Sequence, residues 1–417
     1  MSSAWEIHSI PKFPKLAQDA AADIAIVGGG MAGFCVAYLL AKEGKHVILV
    51  EKGRIGQETT LYTTAFLTQS IDTSLTELES IYSKDLARDV WQSHRDAISL
   101  IEDIVKKEKI NCEFETLPLH LYAESKEDLE SLKEEHELAK SLGFDTRLVE
   151  KPLPNFMTEF KNVGALKIMD QAKFHPMKFF KGLAEASQKY GVEIYEKTEV
   201  TEIRGKTSFA LHTKDGRTIR AKQVVVTTYD PFNNPKPAHL KKGMYESYVY
   251  SLRARHGVLP EGMYIDQKNP YHYFRVDTEN QKFDRIVVGG EDHRAELTKL
   301  MKNKSFKALK EFIDKTFPKL KYTVMEKWHW GVLEPSDGLA LIGEYAPGQY
   351  LATAFSGNGM TYSAIAGMIV SDLILGRKNA YTKLYDPKRP FNKKALLYKA
   401  RDYATELVGG AGKNILT

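Results

Sequence analysis

The sequence predicts an α/β fold that opens on a dinucleotide-binding β–α–β unit, and three observations carry that expectation. Ile24–Val27 is a short apolar run, as a strand buried on both faces requires. Gly28, Gly30 and Gly33 follow it in the pattern G-x-G-x-x-G, with Met31 and Ala32 between the last two glycines. A second apolar run, His46–Val50, ends at Glu51, 18 residues beyond Gly33.

Each part has a physical reason. The first glycine makes the tight turn, the second lets backbone approach a pyrophosphate, and the third lets the helix pack on the strand. Phe34–Lys42 has a helical pattern and stops before Gly44, a C-cap residue. Free N–H groups and the dipole at the helix start favour an anion. Glu51, with Lys52 beside it, stands where a carboxylate accepts from both hydroxyls of an adenosine ribose. An acid there in place of an arginine argues against a 2′-phosphate, so the expected ligand is FAD or NAD and not NADP.

Bulk composition sets the class. With 417 residues, 43% hydrophobic and 27% charged, the chain can bury large cores in two or three domains. No run approaches the roughly 18 apolar residues of a membrane span. The N-terminus mixes Glu6, Lys12 and Lys15 with prolines, which no signal peptide does. A net charge of +5 is too mild to imply nucleic acid. Two cysteines, Cys35 and Cys112, exclude a disulfide scaffold and a cysteine-ligated iron–sulfur cluster within this sequence, and make a cytoplasmic setting the default.

Further elements follow in order. Gly56–Ala65 is a polar loop dense in hydroxyls. Ser83–Lys109 reads as a long amphipathic helix, and Lys126–Ser141 as a charged helix with a solvated face between two strands. A helix over His175–Tyr190 leads to strands at Val192–Tyr195 and Glu199–Arg204. Phe209–Thr213 and Thr218–Arg220 form a hairpin around Lys214-Asp215-Gly216-Arg217, and Gln223–Thr228 is a separate apolar strand. Residues 232–244 read as a connector. Strands fill 245–293, a helix covers about 296–317, strands recur at Leu339–Ile342 and Tyr350–Ala354, and Ser363–Leu375 is a last apolar helix capped by Gly376. The stretch 386–417 is a basic, solvated tail.

Together these pieces resemble the FAD-dependent oxidoreductases of the D-amino-acid oxidase and glycine oxidase family. The resemblance rests on the glycine turn with Glu51, the hydroxyl loop, Val224-Val-Val-Thr-Thr228, Asp337-Gly338-Leu-Ala-Leu-Ile-Gly343 and Ala354-Phe-Ser-Gly-Asn-Gly-Met-Thr361. Gln171-Ala-Lys-Phe-His-Pro176, Tyr273-Phe-Arg275 and Gly289-Gly-Glu-Asp-His293 are similar to a bacterial subset that often carries a Rieske domain after the flavin domain. That domain is expected to be missing here, since the sequence ends at Thr417. The resemblance implies a discontinuous Rossmann-like FAD domain of the glutathione-reductase type over 20–85, 160–232 and 331–385. An α+β substrate domain on an antiparallel-rich sheet would use 86–159 and 233–330. The alternative, a NAD dehydrogenase with one contiguous Rossmann half, has no use for the distant glycine cluster at 357–359.

The resemblance also implies a site. Non-covalent FAD would meet Thr59, Thr60, Thr63 and Thr64 through phosphate and ribityl oxygens, although plain turn chemistry also explains these threonines. Val200 would meet the adenine through its backbone, Thr227 would be among the cofactor-binding residues, and Asp337-Gly338 would let the flavin pass. Backbone N–H groups of Gly357, Asn358, Gly359, Met360 and Thr361 would face the pyrimidine end, where the dipole of the following helix favours negative charge.

On Tyr271-His-Tyr-Phe-Arg275 the two-residue period puts Tyr271, Tyr273 and Arg275 on one face, a candidate clamp for a substrate carboxylate. A structural ion pair is the competing role for Arg275. Trp328 and Trp330 read as packing residues, and His175, His293 and His329 lack metal-ligand spacing. The implied reaction passes a hydride from an amine or amino acid to flavin, giving an imine that water hydrolyses. Oxygen or a redox partner protein would take the electrons. An electron-transfer flavoprotein serving a separate Rieske or quinone partner, and a flavin-binding protein without turnover, are the alternatives.

Overall fold

A computed structural model describes residues 2–154, 159–232, 242–268, 271–390, 392 and 394–395. The chain runs β1 (Ala20–Val27), α1 (Met31–Lys42), β2 (Val47–Val50), a 3₁₀ turn (Thr59–Tyr62), β3 (Phe66–Leu67), α2 (Leu75–Ile81) and α3 (Lys84–Glu108). It continues through β4 (Glu115–Ala123), α4 (Lys126–Ser141), β5 (Thr146–Val149), β6 (Gly164–Lys173) and α5 (Pro176–Lys189). Next come β7 (Glu193–Tyr195), β8 (Val200–Gly205), β9 (Phe209–Thr213), β10 (Thr218–Val226), β11 (Lys242–Arg255), β12 (Gly262–Ile265), β13 (His272–Thr278) and β14 (Phe283–Arg294). The last elements are α6 (Thr298–Thr316), β15 (Tyr322–Pro335), β16 (Leu341–Ala346), β17 (Gln349–Thr353), α7 (Gly359–Ile374) and a short α8 (Thr382–Tyr385).

Two sheets organise the described residues. In the first, the order is β16-β17-β10-β1-β2-β7, with β8 and β9 attached beside β10. β1 lies parallel between β2 and β10, with Val27 opposite Val50 and Val226. Helices cover the face of Ile24 and Ile26, and the β8–β9 hairpin with neighbouring strands packs on the face of Ala25 and Val27, so Ile24–Val27 is wholly apolar and buried. The second sheet has the order β15-β11-β14-β13-β12-β4-β6-β3, with β5 on β6, and all its pairings but β12 with β4 are antiparallel.

Helix limits follow from local chemistry. Ser83 caps α3 by accepting from the Leu86 N–H, and the helix stops at Lys109, whose φ of +53° is left-handed. α4 opens on a reciprocal Ser125–Asp128 capping box and has the limits its charge pattern predicts. Its face is not all solvated, however. Glu135 is buried and accepts from the Leu75 and Thr76 N–H groups at 2.7 and 3.0 Å, so one helix caps the start of another.

Several expectations need correction. Thr218–Val226 is one strand and not two, because Arg220 and Lys222 alternate outward while Ile219 and Ala221 are buried. The expected connector at 232–244 falls mostly outside the described residues, and β11 has begun by Lys242. β3 and β6 come from stretches assigned above to the cofactor domain, yet both join the second sheet, where Phe66 pairs with Lys173 and Leu119 with Ile168. α3 comes from 86–159 but shares its apolar core with α1, α5 and α7 beside the first sheet. α7 starts at Gly359, ahead of the expected Ser363. Most of the basic tail lies outside the described residues.

α1 makes a tight contact with the turn before it. A Cβ on Gly33 would lie 2.1 Å from the Gly28 carbonyl oxygen and 2.9 Å from Thr227 Oγ1. Gly33→Ala is therefore expected to lower stability by about 1–3 kcal/mol, as overpacking against backbone does. Thermal melting of the purified variant checks this, and an unchanged midpoint would contradict it.

Candidate active site

A cavity of about 840 Å³ runs from the glycine turn of the first sheet to the inner face of the second. Gly28, Gly30, Met31, Ala32, Glu51, Lys52, Thr59, Thr60, Thr63, Thr64, Val200, Thr227, Gly357, Asn358, Gly359 and Met360 all border it. Sequence-distant segments thus converge on one space, which the two sheets enclose.

The end at the first sheet is a cradle of bare backbone. A Cβ on Gly30 would meet only Thr60 Oγ1, at 3.6 Å, and one on Gly359 would meet nothing within 4 Å. These glycines leave room for a ligand, whereas Gly33 serves packing and does not border the cavity. Glu51 accepts from the Gly29 and Gly53 N–H groups, both at 2.8 Å, which fixes its carboxylate at the tip of β2. Each oxygen retains a second lone pair for a ribose hydroxyl. The Thr60 hydroxyl accepts from the Met31 N–H at 3.2 Å at the start of α1, and Thr227 donates to the Val27 and Gly28 carbonyls. These donors, glycines and the carboxylate fit the phosphates and ribose of a dinucleotide.

Midway lies the start of α7. Asn358 makes no side-chain cap, so the first N–H groups of the helix are open to an anionic or carbonyl ligand. The preceding turn holds Ala354 at φ +60° and Ser356 at +49°, and Gly357 N–H donates to Asp72 at 2.9 Å. Left-handed non-glycine residues clustered beside a cavity are a signature of a functional turn. The Thr361 side chain donates to the Asn358 carbonyl and pairs with buried His94 at 2.8 Å, outside the cavity lining, which leaves only its backbone N–H for the expected role. Asp337-Gly338 is likewise elsewhere, since Asp337 is bound by both ends of the Arg389 guanidinium at 2.7 and 2.8 Å.

The second sheet closes the far end. Tyr271, Tyr273, Ser247, Asp292, Trp328 and Trp330 border it. The two tryptophans are cavity walls as well as packing residues: Trp330 stacks on Tyr62 at 4.4 Å and donates to Thr59, and Trp328 donates to the Tyr62 carbonyl. Tyr273 lies over Gly289, where a Cβ would fall 2.3 Å from its ring. Burial pushes the Tyr271 and Tyr273 phenols well above their usual range, so both stay protonated.

Asp292 escaped the sequence reading. Glu246 pairs with His293 and Tyr248 with Gly290, so Glu291 and Asp292 together oppose Ser247 in a β-bulge. Gly290 at φ +144° and Glu291 at +59° form it. The bulge re-aims Asp292 into the cavity, and the Gly289-Gly290 pair inside a strand was the available signal. Burial, with the Glu334 and Asp72 charges adding to it, pushes the Asp292 carboxyl up to about 7 against a hydrogen bond from Ser247.

Arg275 is not part of this chamber. It shares a face with Tyr273, as the period requires, but its strand runs on beneath the loop at 64–66. There the guanidinium donates to the Thr64, Ala65 and Phe174 carbonyls and to Asp277 at 2.8–3.2 Å, stacked on Trp5. At 3% exposure it is a structural ion pair and not a carboxylate clamp. Cys35 and Cys112 are buried, and burial pushes both thiols up to about 12. His293 bonds the Tyr248 hydroxyl and His329 bonds Glu246.

Comparison with known proteins adds the decisive observation: residues 23–373 match the model for FAD dependent oxidoreductases, DAO. The chain belongs to this family. FAD is accordingly the cofactor, and the described cavity lining contains no cysteine or histidine to tether it. A Bacillus subtilis protein named for a Rieske 2Fe-2S iron–sulfur centre is 28% identical over 97% of this chain and 80% of its own length. Gamma-glutamylputrescine oxidoreductase of Escherichia coli is 24% identical over 91% of this chain and 90% of its own. Among solved structures, glycine oxidase from Geobacillus kaustophilus superposes with a TM-score of 0.73 at 21% identity, covering 89% of this chain and all of that one. None of the helices among the described residues is long and apolar enough to cross a membrane.

Two expectations follow. Arg275→Ala should destabilise the protein by about 3–5 kcal/mol, because it leaves Asp277 short of a partner in a buried network. A denaturation midpoint within experimental error of the parent protein would refute the structural role. His272, charged, donates to Asp266 and Glu291 at 3.1 and 2.9 Å, and though burial opposes its charge, these carboxylates push it up to about 9. Its stabilisation is complete below about pH 6.5, the unfolded value, and is lost as pH rises through 9. Stability measured across that window should fall by on the order of 3 kcal/mol, and His272→Gln should flatten the fall. Parallel curves for both proteins would contradict this.

Proposed function

We propose that this chain oxidises a C–N bond of an amine or amino acid, with the glycine-turn cradle, Glu51, the hydroxyl loop and the start of α7 holding FAD. The observation that carries the reading is the continuity of one cavity from that cradle to a closed chamber at the second sheet. Bound FAD would supply the two-electron acceptor for a hydride from the carbon bearing the nitrogen, once that nitrogen has passed its extra proton to water and is the neutral amine. The chain's own residues do the rest by placement. Glu51 would receive the ribose, N–H groups at the start of α7 would meet the pyrimidine edge of the flavin, and Tyr271 and Tyr273 wall the substrate side. Held protonated by burial, these phenols do not act as bases, and their oxygens can accept from a substrate N–H. Trp328, Trp330 and Phe355 narrow the access of water.

The names of the relatives support the substrate class, since they include oxidoreductases of glycine and of gamma-glutamylputrescine. The Bacillus relative supports a second point, that electrons leave to a redox protein and not to oxygen. Anaerobic titration of the purified yellow protein with a panel of amines and amino acids tests both parts. Bleaching of the flavin band by at least one of them is expected, followed by slow recovery in air. No bleaching by any amine, amino acid or imino acid would refute the oxidation, and recovery within seconds in air would make oxygen the acceptor.

A further inference from the structure

We infer that Asp292 is the substrate-recognition group of this cavity and that it selects a cationic amine over an amino acid. This rests on the reading of the site as an amine-oxidising chamber and deepens it by naming the charge of the substrate. Three observations support it.

The first is the isolation of the carboxylate. Asp292 Oδ1 is shut from solvent and has no hydrogen-bond partner, although it borders the cavity. An unpaired buried carboxylate oxygen is costly, and a ligand ammonium supplies the missing donor. Its present partner is the Ser247 hydroxyl.

The second is the balance of charge. Asp292 interacts unfavourably with Asp72 and Glu334, and all three raise the Tyr271 phenol. The described cations on the cavity wall are Lys52, Arg54 and Lys268. Lys52 and Arg54 follow Glu51 at the cofactor end, and Arg54 is paired with Glu196 at 2.5 Å. Lys268 is paired with Glu124 at 2.6 Å. His272, whose charge favours the ionised Asp292, lies on the opposite face of β13, shared between Asp266 and Glu291. Arg275 is engaged beneath the loop. A substrate carboxylate would thus enter a site with anions around it and no described cation to receive it, whereas an ammonium would relieve their repulsion.

The third is construction. The bulge at Gly290 and Glu291 costs two left-handed residues and a break in the ladder, and what it achieves is the aim of Asp292. The His272 bridge from Asp266 to Glu291 fixes that bulge from behind. Strain kept in place by a buried ion pair marks a position held for binding.

The test uses the full FAD-loaded chain and two probes of equal shape and opposite charge, tert-butylammonium chloride and sodium pivalate. The ammonium has no hydrogen on its nitrogen-bearing carbon, so it cannot be oxidised. Binding is read from the perturbed flavin absorption band. Parent protein should bind the ammonium and not pivalate, and Asp292→Asn should weaken the ammonium about tenfold or more, the scale of a charge-assisted hydrogen bond. Asp292→Ser serves if the asparagine variant loses its FAD or melts early. In turnover, the kcat/KM preference for an amine over its α-carboxylated counterpart should shrink by a similar factor in the variant. Tighter binding of pivalate by the parent, or equal ammonium binding by parent and variant, would overturn the inference. Asp292-dependent ammonium binding without flavin bleaching by any substrate would leave the inference standing and refute the proposed oxidation instead.

Discussion

The close approach of α1 to the end of β1 is the constraint on which the rest of the site depends. Only hydrogen atoms at positions 28 and 33 permit it, because a methyl group at either would collide with backbone or with Thr227. Thr227 locks the approach by donating to the carbonyls of Val27 and Gly28, so the tip of β10 is stitched to the turn. With the helix held this close, its uncovered N–H groups open onto the cavity and Glu51 reaches the backbone of Gly29 and Gly53. Helix dipole, open backbone and carboxylate are then delivered together by one packing contact.

The substrate side is built on a different principle. The antiparallel second sheet would present a regular alternation of side chains, which suits a wall but not a single directed charge. Its bulge breaks the alternation at one place, and the neighbouring glycine at 289 makes room for the Tyr273 ring. Around this opening the polar groups are satisfied by one another: His272 by two carboxylates, Arg275 by Asp277 and three carbonyls, Lys173 by Glu115 and Asp277. Asp292 Oδ1 is left over, as is the Tyr229 hydroxyl elsewhere on the cavity wall. In a protein interior an unsatisfied polar atom beside a cavity is the place to look for a ligand.

What the sequence made legible was local. The glycine turn and Glu51 could be placed because all their spacing lies within one β–α–β unit, and the limits of α3 and α4 follow from caps written beside them. What it hid was set at a distance. Arg275 was correctly assigned a face, but its depth is decided by the loop at 64–66, some two hundred positions earlier in the chain. Asp337 is claimed by Arg389 from the C-terminal segment. Asp292 lies between these cases, since a glycine pair inside a strand announces a bulge without saying which neighbour it re-aims.

The most direct measurement is a crystal structure of the protein with FAD and tert-butylammonium. Electron density is expected for the adenosine ribose on Glu51, the pyrophosphate at the start of α1 and the flavin ring beside Gly357–Gly359, with the ammonium within about 3 Å of Asp292 Oδ1. A ribose that does not touch Glu51, a flavin outside the cavity between the two sheets, or an ammonium held away from Asp292 would contradict the site described above.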